Sequence, residues 1–105
     1  MRDLLMQRES WEALVNDPSL IPNAAEEMLR FAPSVFTWRR LATQTFEING
    51  HTFNPGDRVL LSLGSANHDE HHFENPETLD ITRKNAKDHL AFGHGIHYCL
   101  GAPLD

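Results

Sequence analysis

Apolar and polar positions run along this chain with two different periods, and the change falls near its middle. Leu4, Leu5, Trp11, Leu14 and Val15 recur at roughly helical spacing, which predicts a helix ended by Asn16-Asp17-Pro18. A second helix is predicted after Pro22. Asn23 is placed to cap it, and Glu26, three residues on, completes a capping box. Ala25, Met28, Leu29 and Ala32 form an i, i+3, i+4, i+7 stripe that predicts the buried face. Pro33 ends the helix by disfavouring helical geometry at Ala32.

From Thr43 the period shortens. Thr43 to Ile48 is rich in β-formers, Asn49-Gly50 favours a two-residue hairpin turn, and His51-Thr52-Phe53 supplies the return strand. Asn54-Pro55-Gly56-Asp57 reads as a second turn, and Arg58 to Leu63 as a buried-type strand. Gly64 to His89 is polar and irregular, with a short helix predicted near Ser65 to His68. Its low apolar content offers little to offset the entropy of ordering it, and so long a stretch points to function or to packing against something else. Ala91 to Pro103 is a glycine-punctuated loop. The fold class predicted is α+β: helices, a small β-hairpin region, an irregular meander and a cysteine-bearing loop, all within one domain spanning 1–105.

Composition narrows the function. A net charge of −6 argues against a nucleic-acid partner or an anionic membrane surface, both of which need basic surfaces. No apolar run approaches the ~20 residues that span a bilayer. The opening residues carry Arg2, Asp3 and Gln7 where a secretory signal needs an apolar stretch, so a cytoplasmic location is expected. The single cysteine, Cys99, cannot form an internal disulfide, and a lone cysteine is most often a small buried hydrophobe.

The surroundings of Cys99 favour another role. Gly93, Gly95 and Gly101 allow positive φ and close approach of the backbone to a flat object. A thiolate ligand to iron needs that access, and backbone N–H groups directed at the sulfur tune the metal. His94, His97 and Cys99 are the one group near zinc-ligand spacing, but the paired ligands of a structural zinc site are missing from the sequence. His68, His71 and His72 read as exposed meander residues. Glu27 and Arg30 are neighbours at i, i+3 and lie opposite the apolar stripe, so spacing alone makes them a solvated surface pair worth ~0–1 kcal/mol.

Phe92, Gly95, Cys99 and Gly101 occupy every fixed position of the pattern Phe-x-x-Gly-x-x-x-Cys-x-Gly, and Glu27-Met28-Leu29-Arg30 matches Glu-x-x-Arg on an upstream helix. The chain thereby resembles the cytochrome P450 family of haem-thiolate monooxygenases, in its soluble bacterial branch. The resemblance runs from about Ser10 to Leu104 and implies a C-terminal part of a mainly α parent, cut short at Asp105. It implies haem b as cofactor, with Cys99 as the iron ligand and Phe92, Gly93, Leu100 and Gly101 around it. Arg40 and His97 would contact the haem propionates, with Arg39 a one-residue competitor to Arg40. Val35 and Phe36 would face the substrate or else pack in the core. The Glu27–Arg30 pair would be buried and tied to the meander. A third member of that network, usually a meander arginine, is in doubt because Thr78 stands at its position. The intact parent would insert one oxygen atom from dioxygen into a small organic substrate, reducing the other to water, with electrons from a ferredoxin-like partner. No proton-relay residue is assigned, and this chain alone is expected to be inactive. The rival reading is a small non-haem α+β metal-binding or interaction module.

Overall fold

The computed structural model describes residues 2–102, so Pro103 of the predicted loop lies outside the described residues. Helices α1 (Arg2–Met6) and α2 (Arg8–Asn16) lead through a 3-10 turn at Pro18–Leu20 into α3 (Ile21–Phe31). The single helix predicted over the first segment is therefore two, broken where Gln7 leaves helical geometry at φ −101° and ψ 80°. Of its apolar set, Leu4 and Leu14 are buried while Leu5, Trp11 and Val15 are exposed.

Helix α3 corrects two expectations. It starts earlier than Asn23, with Pro22 in its first turn, where the missing N–H costs nothing. Asn23 does not cap it. Its side-chain amide donates instead to the carbonyls of Ile81 (2.8 Å) and Arg83 (3.1 Å), tying the helix to the meander. The buried face is Ala24, Glu27 and Arg30, whereas Ala25, Met28 and Leu29 are half-buried and Ala32 is exposed. The helix turns its charged pair inward because the meander supplies enough acceptors to satisfy it.

Two small antiparallel sheets follow. Strand β2 (Phe46–Ile48) pairs with β3 (His51–Phe53) across a turn in which Asn49 and Gly50 both take positive φ, as the hairpin dipeptide requires. The Phe46 and Phe53 rings stack at 4.8 Å across that ladder. Strand β4 (Arg58–Ser62) pairs with a strand the sequence pattern did not reveal, β1 (Thr37–Leu41), in the register Thr37↔Ser62 through Leu41↔Arg58. Helix α4 (Leu63–Ala66) begins directly after β4, ahead of the predicted position. It can do so because Gly64 sits under the Phe36 ring, where a Cβ would stand 2.6 Å from a ring carbon.

The core gathers Leu4, Leu14, Ala24, Leu79 and Ile81, with Ala13, Leu20, Met28 and Phe31 against it. The meander is thus part of the core, contrary to the expectation from its composition. Phe73, Leu79, Ile81 and Ala86 are all at most 5% exposed, and each large side chain so buried is worth roughly 1.5–3 kcal/mol. A few fully buried anchors order a segment whose remaining residues are polar.

Candidate functional site

Glu27 and Arg30 form a fork-to-fork pair with neither side chain exposed. Arg30 Nε donates to Glu27 Oε2 at 2.7 Å and Nη2 to Oε1 at 2.8 Å. The surface-pair reading from spacing alone is overturned. The remaining Arg30 N–H groups reach the carbonyls of Asn67 (2.7 Å), Pro76 (3.0 Å) and Thr78 (3.1 Å). A guanidinium has five N–H donors, and here each has an acceptor. The ring of Phe73 lies 5.2 Å from the guanidinium carbon, closing off water.

The third member of the network is Arg83, which the sequence reading did not single out. Its Nε contacts both Glu27 oxygens, at 3.0 and 3.1 Å, and its other nitrogens reach the carbonyls of Glu74, Asn75 and Thr78. Thr78 contributes its carbonyl to both arginines rather than a side chain. A signal for Arg83 did exist: it is the sole arginine after Arg58. The Asp80 N–H also donates to Glu27 Oε1, at 2.9 Å.

Asp80 makes the turn beside this cluster pH-sensitive. The Thr82 hydroxyl donates to its carboxylate at 2.7 Å and holds that carboxyl below the usual range. Partial burial opposes the shift, while the Thr82 N–H and the Arg83 and Arg30 charges reinforce it. A carboxyl lowered in the folded state contributes stability that is present above the ordinary value of about 3.9. That stability is lost as pH falls through the lowered folded value. Acid unfolding followed by circular dichroism should therefore be less steep in this window for Asp80→Asn than for the native chain. Equal slopes would show that Asp80 does not contribute.

The cysteine loop follows the meander in the chain. Gly93 and Gly95 take φ of 76° and 73°, conformations that side chains rarely adopt. The Cys99 N–H donates to the Phe92 carbonyl at 2.9 Å, closing the loop over a 3-10 turn at Gly95–His97. Cys99 is exposed, so the buried-hydrophobe reading of a lone cysteine does not hold. Leu100 and Ile96 beside it are 95% and 97% exposed, an unusual density of uncovered apolar surface around one thiol.

Next to this loop lies a cleft of about 650 Å³ between β1, β4, α4 and the loop itself, lined among others by Trp38, Arg40, Leu61, Leu63, Leu90, Gly93 and His97. The structure thus brings Arg40, Gly93 and His97 together. Arg40 shares a sheet face with Trp38, and its guanidinium carbon lies 5.9 Å from that ring. Among the described residues it donates to the Arg39 carbonyl (2.9 Å) and meets no carboxylate. Arg39 also borders the cleft, but the strand alternation turns it to the face of Leu41 and Leu60. Cys99 and Gly101 lie on the exposed part of the loop rather than in the cleft lining. Phe92 is half-buried, its ring 6.4 Å from Tyr98. Val35 and Phe36 are exposed and do not line this cleft.

The histidines separate. His71 and His72 are exposed beside Asp69 and Asp88. His68, expected to be exposed, is half-buried, with its Nδ1 2.9 Å from the Gly64 carbonyl. Among the described residues no group of three or more His, Cys, Asp or Glu is placed to hold a metal ion. No helix there is long and apolar enough to cross a membrane.

A charged helix face locked into a carbonyl-rich meander, followed by a glycine-hinged thiol loop, is a fold shared with known haem-thiolate enzymes. The chain superposes on cytochrome P450 CREJ with a TM-score of 0.95 at 52% identity, covering 98% of this chain and 26% of that one. The cytochrome P450 family model matches residues 7–104, and the chain belongs to the cytochrome P450 family. It is 44% identical over 102 residues to the polyketide biosynthesis cytochrome P450 PksS of Bacillus subtilis, covering 96% of this chain and 25% of that protein. It is 45% identical over 101 residues to the steroid C26-monooxygenase of Mycobacterium tuberculosis, covering 96% of this chain and 27% of that protein. The chain therefore spans about a quarter of the length of the curated relatives it matches. Haem iron is the cofactor of this family, and its monooxygenases act on organic substrates with electrons from redox partners.

Proposed function

We propose that this chain is the haem-binding segment of a cytochrome P450 monooxygenase, forming part of a single cytochrome P450 domain, with Cys99 as the axial iron ligand. The observation that carries this is the pairing of an exposed thiol on a glycine-hinged loop with an adjacent cleft holding a carboxylate-free arginine. The residues fit the group. Arg40 and His97 offer donors to propionates, a guanidinium fork being matched to a carboxylate. Gly93 lets the backbone come close to a flat ring, and Ile96 and Leu100 offer apolar surface to cover. Phe92 holds the Cys99 N–H through its carbonyl, and Gly101 leaves one side of the sulfur uncovered, where an added Cβ would touch Sγ at 3.8 Å. Bound through a cysteine thiolate, haem supplies dioxygen activation with a push toward O–O cleavage. Val35 and Phe36, exposed ahead of β1, are offered to substrate.

Oxygen insertion into a small organic substrate, with an electron donor of ferredoxin type, belongs to the whole protein that carries this segment. The role read for the segment is to hold and orient, and no proton-relay role is assigned to its residues. A cytoplasmic location goes with this reading.

Haem titration of the full-length protein tests it. A carbon monoxide complex with a thiolate-type Soret band is the expected result. Stoichiometric zinc with no haem uptake would instead support a metal-binding module. Within the same protein, Arg40→Leu is expected to speed haem loss more than Arg39→Leu, because Arg40 shares its strand face with cleft-lining Trp38 and Leu61. The opposite ranking would move the propionate contact to Arg39.

A further inference from the structure

We propose that His89 is a positioning residue for the Cys99 loop, held as the Nε2-protonated tautomer between Glu26 of α3 and the Ala91 N–H. This inference rests on the haem-thiolate reading of the loop.

The His89 side chain is 3% exposed, and its Nε2 lies 3.0 Å from Glu26 Oε2. Its Nδ1 lies 3.1 Å from the Ala91 backbone nitrogen. A backbone N–H can only donate, so Nδ1 must present its lone pair. A carboxylate can only accept, so Nε2 must carry the proton. The two partners together dictate the tautomer. One ring nitrogen thus faces the helix and the other faces the chain that leads into the thiol loop.

The effect reaches the sulfur in two short steps. Ala91 precedes Phe92, whose ring meets the His89 ring edge-on at 5.8 Å. The Phe92 carbonyl in turn accepts the Cys99 N–H. Beyond Phe92 the Gly93 N–H returns to the Leu90 carbonyl at 2.9 Å, and the other backbone bonds, Tyr98 to Gly95, Cys99 to Phe92 and Ala102 to Cys99, stay within the loop. The Gly93 N–H shares a peptide plane with the Phe92 carbonyl, so that carbonyl is aimed by the Leu90–Gly93 turn, and the turn is held in place by two successive pinned amides at its start. Asn67 Oδ1 takes the Leu90 N–H at 2.7 Å, and His89 Nδ1 takes the Ala91 N–H. Asn67 also gives its backbone carbonyl to Arg30, so any main-chain shift that follows a substitution there would disturb the ion cluster as well. His89 makes no such bond and can be tested by itself.

The test uses the full-length, haem-loaded protein in its ferrous carbon monoxide form. An asparagine amide oxygen stands near the position of Nδ1, so His89→Asn keeps the acceptor for Ala91. His89→Gln extends toward Glu26 and gives that acceptor up. The ratio of thiolate-type to thiolate-free carbon monoxide complex is expected to fall about tenfold in His89→Ala and His89→Gln and to recover in His89→Asn. Nitrogen-15 NMR of the unsubstituted protein should show the Nε2-protonated tautomer at His89, a readout that needs no variant to fold. An Nδ1-protonated ring, a wild-type band in His89→Ala, or no recovery in His89→Asn would overturn the assignment while leaving Cys99 as ligand. Absence of the thiolate-type band in the unsubstituted protein would overturn the reading of the loop, and this inference with it.

Discussion

Replacing Glu27 with alanine in the full-length protein is expected to abolish folding and haem incorporation together. The substitution leaves Arg30 and Arg83 buried within one pocket with no counter-charge. Removing one partner of a buried ion pair costs about 3–5 kcal/mol, and here two cations are orphaned at once. A domain's whole stability is about 5–15 kcal/mol. Arg30→Ala should be severe but less so, because Arg83 still neutralises the Glu27 carboxylate. Arg83→Ala should be mildest, near about 2 kcal/mol, because the bidentate Glu27–Arg30 pair survives it. Arg30→Lys should not rescue: an ammonium has three donors where five acceptors are arranged around a planar fork. Soluble yield, denaturant midpoint and haem content would establish the order. Near-native values for Glu27→Ala would mean that the cluster contributes nothing to the fold.

The same cluster shows which parts of this protein were legible in its sequence. Asn49-Gly50 was, because a type I′ turn is determined by two residues that tolerate positive φ, whatever surrounds them. The existence of α3 was also legible, from propensity and its closing proline, but not its orientation. Hydrophobic periodicity assumes that apolar atoms win the interior, and here a guanidinium with every donor satisfied displaced them. Asn23 was misread for a related reason: a local capping bond and a bond to carbonyls 58 and 60 residues away look alike in one dimension. Strand β1 was invisible because Thr37 to Leu41 is exposed on both faces and so has no alternation to detect. The meander looked unfoldable by composition, since composition averages over residues and burial does not. The P450 pattern at Phe92 to Gly101 marked the loop, yet the grouping of Arg40 with His97 needed the sheet register. Arg83 was signalled only by being the sole arginine after Arg58. His89 carried no motif and became visible only through its partners.

Cys99→His in the full-length protein is expected to eliminate the thiolate-type carbon monoxide band completely, while leaving the fold intact. The two halves of this expectation have different causes. The fold is spared because Cys99 is exposed and is held through its main chain, to the Phe92 carbonyl and from the Ala102 N–H. Any residue but proline can make those bonds. The Gly93 and Gly95 conformations that shape the loop are also untouched. The band is lost because it reports sulfur as the axial donor, and this segment offers no second cysteine at the loop. An imidazole can still bind iron, so haem retention is not the measure; the position of the Soret band in the reduced complex is. Far-ultraviolet circular dichroism on the same sample separates loss of the ligand from loss of structure. A buried structural cysteine would give the reverse pattern, with the fold damaged and the spectrum of any remaining haem unchanged. Persistence of the thiolate-type band in Cys99→His would place the iron's sulfur ligand outside this segment.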